Sequence, residues 1–368
     1  MVKRLVMGGA WALCATFVHA QQSQTVSGSS VLLYGLLDVG VGYVTNEGGH
    51  SATLMDSGIL APNLLGFRGT EDLGGGASAI FSIVTQFNVS NGAVLPNSGA
   101  MFNREAYVGL KADHLGTLTF GNQFDFMMEE LLPYDPSLYL GGFYNFRQGP
   151  FAGLGIPGNP TGSLDFDRLA GATRVPNSVK YRSPEVFGLK LGAMYGFSNQ
   201  PGALSAGDTT SFSLDYAIGR FGVGAAYTYV KYPQLGNGHD GIRNFGFGGR
   251  YDAGRVKGFL LYTNTKNTLS GAEINVYVTG ATWSIDGFWS LGASYEFMKG
   301  NEVVGDNCAR QFATTISYAL SKRTALSLTA LYQHASGSES QAKAWINALQ
   351  PSSTSNQALV RVGMTTRF

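Results

Sequence analysis

Long apolar runs are missing from this chain of 368 residues. Beyond Ala20 no segment stays apolar for the roughly 18 positions that a membrane-crossing helix requires, which excludes a helical membrane protein. Cysteine is nearly absent, with only Cys14 and Cys308. Charge is thin, at 13% Asp, Glu, Lys and Arg, and the formal net charge is +1. That balance gives no basic excess for a nucleic acid to meet. There is no P-loop, no dinucleotide fingerprint and no metal-ligand spacing. Gly74-Gly75-Gly76 reads as a tight turn, because no helix follows it to cradle a phosphate. His50, His114, His239 and His334 are scattered through loops and a strand end. Hydrolytic chemistry needs a convergent constellation of nucleophile, base and acid, so the chain is read as a non-enzyme with no cofactor and no metal.

What the chain does have is 51 Gly, 23 Phe and 18 Tyr. So many aromatics exclude disorder. Met1 to Ala20 reads as a secretory signal: Lys3 and Arg4, an apolar centre from Leu5 to Val18, and Val18-His19-Ala20 before Gln21. Leu13 stands before Cys14 where a lipoprotein signal would carry a small residue. Without Lys3 and Arg4 the charge of +1 becomes −1, and Cys308 is the only cysteine left, so no intramolecular disulfide can form. Residues 21–368 are the expected mature domain.

Along that domain, short runs alternate apolar with small or polar residues. In the first, 28–45, Val31, Leu33, Leu37, Val39, Val41 and Tyr43 share one face, and Tyr34, Asp38, Gly40 and Gly42 the other. In the last, 357–368, Val360, Val362, Met364 and Phe368 oppose Arg361, Gly363, Thr365 and Arg367. A charge on a lipid-facing position costs a few kcal/mol near the midplane, so both arginines must face a lumen or a rim. Counting all such runs gives about sixteen, and short turns alternate with longer polar loops, the habit of transmembrane barrels. A secreted β-sandwich, the competing all-β reading, has no reason to sort its loops in this way. Tyr43, Phe197, Tyr229, Trp283, Trp289, Phe297 and Phe368 stand at strand ends, where interfacial aromatic girdles occur. The expected fold is therefore all-β, a sixteen-stranded antiparallel transmembrane β-barrel.

One stretch breaks the pattern. Residues 125–176 open with a possible helical turn, Asp125 to Leu132, and continue through Gly- and Pro-rich sequence to Asp165, Asp167, Arg168 and Arg174. An insert this long in a compact domain is functional or disordered. The expectation is that it folds into the bore and narrows a pore.

Taken with Leu33-Tyr34-Gly35, the run Gly66-Phe67-Arg68-Gly69-Thr70-Glu71-Asp72-Leu73-Gly74-Gly75-Gly76, Arg104 to Leu110, Asn177 to Tyr181 and the terminal Phe368, the mature chain resembles a general porin of Gram-negative bacteria, of the β-proteobacterial type. The resemblance implies a homotrimer in the outer membrane, a third outer loop folded inward, and passive diffusion of ions and small hydrophilic solutes. It implies that Phe368 belongs to the signal read by the barrel assembly machinery, and that outer-membrane lipid and lipopolysaccharide surround the barrel. It sets wall cations against loop carboxylates. Arg104 and Arg174 fall on two wall-arginine positions, and parity adds Lys180 and Arg182 to the face of Arg174. Asp125, Glu129, Glu130 and Asp135 are the loop candidates, with Asp165 and Asp167 behind them. Leu64 and Asn122 stand where relatives carry arginine, which implies a less basic constriction. A substrate-specific channel of the same fold and a plugged structural barrel are the alternatives.

Overall fold

The computed structural model describes residues 29–95, 99–140, 142–338 and 342–368, so the expected signal at 1–20 lies outside the described residues. Seventeen strands form one antiparallel sheet. They are β1 (Ser30–Glu47), β2 (His50–Ser57), β3 (Leu64–Gly74), β4 (Ala77–Gln86), β5 (Glu105–Ala112), β6 (Gly116–Gln123), β7 (Val175–Arg182), β8 (Leu189–Gly196) and β9 (Thr209–Ile218). The second half of the chain supplies β10 (Phe221–Lys231), β11 (Gly241–Asp252), β12 (Val256–Asn267), β13 (Glu273–Ser284), β14 (Trp289–Gly300), β15 (Cys308–Ala319), β16 (Thr324–Ser336) and β17 (Asn356–Arg367).

From β3 onward each strand pairs with the next, and β17 returns to pair with β1, so the sheet closes. β2 pairs with the second half of β1 and β3 with its first half, Val39 facing Ser57 and Leu36 facing Leu64. These two are halves of one barrel strand, interrupted at residues 58–63, and the barrel has sixteen strands as expected. The sequence reading assigns no strand between the first run, 28–45, and Asn63. His50 to Ser57 is polar and only weakly alternating, and Gly58 and Pro62 punctuate it, so the strand half is formed by pairing with β1 rather than announced by its own pattern. The closing seam ends on Phe368, whose N–H and C=O exchange 3.1 Å hydrogen bonds with Gly35. The Phe368 ring lies over Gly35, where any Cβ would overlap it.

The two faces of the sheet differ as strand parity dictates. One carries exposed Val31, Val41, Phe247, Leu260, Tyr277, Phe312 and Val362. The other carries glycines and polar side chains, most of them buried. Arg361 lies on the polar face. Its Nε donates to Asp56 at 2.6 Å and its Nη2 to Asp38 at 2.9 Å. Asp38 also accepts from the backbone of Ile59 and Leu60 and from Thr365. This cluster therefore ties β17, β1 and the interruption in the second barrel strand into one joint. Gly40 and Gly363 face each other in register and leave the room that the guanidinium fills.

Between β6 and β7 runs the long insert, residues 124–174, built of short helical turns. It packs against the polar face from β8 to β15. Asn244 donates to Phe166 O at 2.7 Å, Asn267 to Leu154 O at 3.0 Å and Asn307 to Pro150 O at 2.7 Å. The wall gives way by lacking side chains. A Cβ on Gly192 would strike Phe126, one on Gly224 or Gly248 would strike Tyr134, and one on Gly280 or Gly292 would press on Pro136 or Leu140. Phe126, Leu131, Tyr134, Leu140, Phe151 and Phe166 are all at most 1% exposed. Burial of each such side chain stabilises by about 1.5–3 kcal/mol, enough together to hold the insert as structure.

Candidate pore constriction

Lys180 and Arg182 stand two residues apart on β7 and so share a face. The first turn of the insert, Met127–Leu131, brings Glu129 and Glu130 to them, with Met127 and Leu131 buried as its anchors. Glu129 bridges both cations, at 2.7 Å from Lys180 and 2.7 Å from Arg182, and Glu130 meets Arg182 at 3.0 Å. Lys180 also donates to Phe124 O at 3.1 Å. Burial pushes the Glu129 carboxyl up, but Lys180 and Arg182 outweigh it and hold it below the ordinary carboxylate range. For Glu130 burial dominates and the shift is upward, with Arg182 opposing it. These four residues form a neutralised bridge between insert and wall.

The second pair is built differently. Arg104 and Arg174 both donate to the side-chain oxygen of Gln86, at 2.6 and 3.3 Å. Both guanidinium groups also lie over the Phe124 ring, 5.1 and 4.8 Å from its centroid. Arg174 donates further to the carbonyls of Arg104 and Ala172. Its hydrogen-bond acceptors are therefore all uncharged. Burial, aided by the Arg104 charge beside it, pushes the Arg174 guanidinium down, yet an arginine stays cationic at neutral pH. Arg174 lies on the polar side with Gln86, but strand parity is not what positions it. Asn177 adopts φ +50°, the left-handed region, and both Val175 and Ser178 end up buried. Counting back from Ser178 crosses that irregularity, and Arg174 reaches its partners as the last residue of the insert.

Asp125 and Asp135 do not oppose the wall cations. Asp125 pairs with Arg168, inside the insert itself. Asp135 pairs with Arg147, whose Nε also lies 3.4 Å from Asp167 and 3.2 Å from Glu296 on β14. All four side chains are wholly buried. Sequence reasoning missed Arg147 and Glu296. The one available signal was an acid at position 296 on the polar parity of β14, beside Gly292 and Ser294.

Asp165 accepts from the amides of Ala170 and Ala172. Burial, with Asp167 adding to it, raises its pKa to about 7. A carboxyl whose folded pKa is raised stabilises below its unfolded value, and that contribution is lost as pH rises through the folded value. Raising the pH from about 5 to about 8 is therefore expected to loosen this turn. Hydrogen exchange at Ala170 and Ala172 reads the effect beyond the intrinsic pH trend. Asp165→Asn should flatten the response, and an unchanged profile in that variant would remove Asp165 as its cause.

A closed antiparallel ring with an apolar outer parity, a polar inner parity and an inserted segment defines a transmembrane β-barrel channel. The chain belongs to the Gram-negative porin family, whose model matches residues 9–338. An outer membrane porin of Bordetella pertussis is 27% identical, with 86% of this chain and 90% of that protein covered. Outer membrane porin protein 32 of Delftia acidovorans is 26% identical, over 86% of this chain and 87% of its own. Among solved structures, an anion-selective porin from Comamonas acidovorans superimposes with a TM-score of 0.77 at 24% identity, covering 92% of this chain and 100% of that one. The protein is an outer-membrane channel for passive diffusion.

Proposed function

We propose that residues 124–174 lie in the bore, that the channel narrows between this insert and the wall at β5 and β7, and that it prefers anions. Support for the first point is the reach of one segment along a single face of a closed sheet, from the wall residue Arg104 to β15. The observation that carries the preference is the unequal neutralisation of the cations. Lys180 and Arg182 are matched by Glu129 and Glu130, whereas Arg174 donates its hydrogen bonds only to neutral acceptors. In a narrow, partly desolvated gap such a charge is screened less than in bulk water and biases ion entry. The Comamonas relative's description as anion-selective agrees with this reading. The chain is non-catalytic, acts as a homotrimer and passes small hydrophilic solutes without saturation.

A planar bilayer under a salt gradient tests this. The reversal potential is expected to take the anion sign, and Arg174→Glu is expected to move it toward the cation side. A cation-signed potential in the unaltered protein would overturn the preference. Inserted protein that passes no current would instead favour a plugged barrel, and saturable flux a substrate-specific channel.

A further inference from the structure

At the long-loop end of the barrel, three segments enclose a cleft of about 320 Å³, within the size range of small-molecule sites. Pro150 and Gly153 of the insert form one side and Asn307 of the β14–β15 connection a second. Lys343, Trp345 and Pro351 of the β16–β17 connection form the third. Short turns face the periplasm in such barrels, so this cleft opens at the outer mouth.

Its walls are held in place from behind. The Trp345 N–H donates to the side chain of Gln333 at 2.6 Å, and the Trp345 C=O accepts from the same carboxamide at 3.2 Å. Gln333 itself is fully buried on β16. The indole Nε1 donates to Leu349 O at 2.8 Å, which fixes the ring. Ala344 and Ile346, on either side of Trp345, are wholly buried, while Lys343 and Trp345 alternate to the open side. Across the cleft, Asn307 Nδ2 donates to Pro150 O at 2.7 Å and ties that wall to the insert.

The lining has a narrow chemistry. Lys343 is its one ionisable side chain; it is exposed, and among the described residues no carboxylate lies within ion-pair distance of it. An unmatched ammonium favours an anion, and a carboxylate gives it a charge-assisted hydrogen bond. The rest is one indole and two proline rings, which suit a flat apolar body. A polyol would need paired donors and acceptors for its hydroxyls. The Asn307 carboxamide does not supply them, because its Nδ2 is taken by Pro150 and its Oδ1 is buried.

We propose that this cleft captures small aromatic carboxylates at the channel mouth, with the ring against Trp345 and the carboxylate on Lys343 Nζ. The inference names a solute class for the proposed function and rests on the insert lying in the bore. It does not depend on the ion preference at β5 and β7. Retention is weak, because a solute that is to pass must also leave.

The test is saturation-transfer NMR on the folded porin in detergent, with benzoate as the probe. Benzamide and glucuronate serve as comparisons, the first removing the charge and the second replacing the flat ring by a polyol. Clear transfer to the benzoate ring protons is expected, with far less to either comparison. Lys343→Gln should weaken benzoate binding about fivefold, and Trp345→Leu should abolish measurable transfer. Unchanged circular dichroism spectra would show that both variants keep the barrel. Benzoate transfer that survives both substitutions would place the probe elsewhere and overturn the site. Equal transfer to glucuronate would overturn the solute class. A reversal potential measured on the same protein keeps the two proposals apart. Benzoate binding with a cation-signed potential supports the cleft and removes only the preference, whereas binding by inserted protein that passes no current would overturn the capture role.

Discussion

Replacing Arg147 by methionine is expected to release the insert while leaving the sheet closed. Asp135, Asp167 and Glu296 surround that one guanidinium, and every side chain in the group is fully buried. Removing the cation leaves carboxylates that neither solvent nor another base can reach. Breaking a buried pair from one side costs about 3–5 kcal/mol, and here three acids lose the same partner. The barrel's own hydrogen-bond ladder does not depend on Arg147. The expected signature is therefore local: noisy, enlarged single-channel currents and cleavage by protease within 124–174, with the far-ultraviolet spectrum of the sheet retained. Adding Glu296→Gln should recover part of the loss by withdrawing one unpaired charge. Quiet currents and a protease-resistant insert in the methionine variant would show that the apolar packing under Phe126 and Tyr134 suffices without the ion cluster.

Arg361→Leu should strike the sheet itself. Nε and Nη2 of Arg361 hold Asp56 and Asp38 at once, across the seam where β17 meets β1 and beside the interrupted second strand. Leucine leaves both carboxylates buried and facing each other, again a cost of about 3–5 kcal/mol. The urea midpoint of the refolded barrel, followed by circular dichroism, should fall substantially. Arg361→Lys should recover little, because a single ammonium cannot reproduce two divergent N–H directions. A midpoint equal to that of the unaltered protein would mean that the seam is held by backbone pairing and by Phe368 on Gly35 alone.

These two joints mark where the sequence stops being informative. Alternation made the first and last strands readable almost residue by residue, and it placed Arg361, Lys180 and Arg182 on the polar face without any structure. Parity gives a direction and no partner. That Arg361 would meet Asp38 and Asp56 depends on a register closed across more than 300 positions, which nothing local encodes. The insert is harder still. Its short turns have no sustained period, so Asp125 and Asp135 were indistinguishable from Glu129 and Glu130 as acids near the opening. Their actual partners, Arg168 and Arg147, come from within the same segment. Asn177 shows the opposite failure, a single left-handed residue that shifts the count for everything before it.

The glycines under the insert carry a consequence for how such a channel changes over time. Gly192, Gly224, Gly248, Gly280 and Gly292 lie on five different strands, yet each is a seat for one side chain of the same segment. With the insert in the bore, as proposed, aperture is written in the wall as a set of missing atoms rather than in the insert alone. A lineage can retune its sieve in small steps by adding or deleting a methyl at one seat, without redesigning the segment and without touching a charge. Ion preference and cut-off size are then separately heritable traits of one barrel.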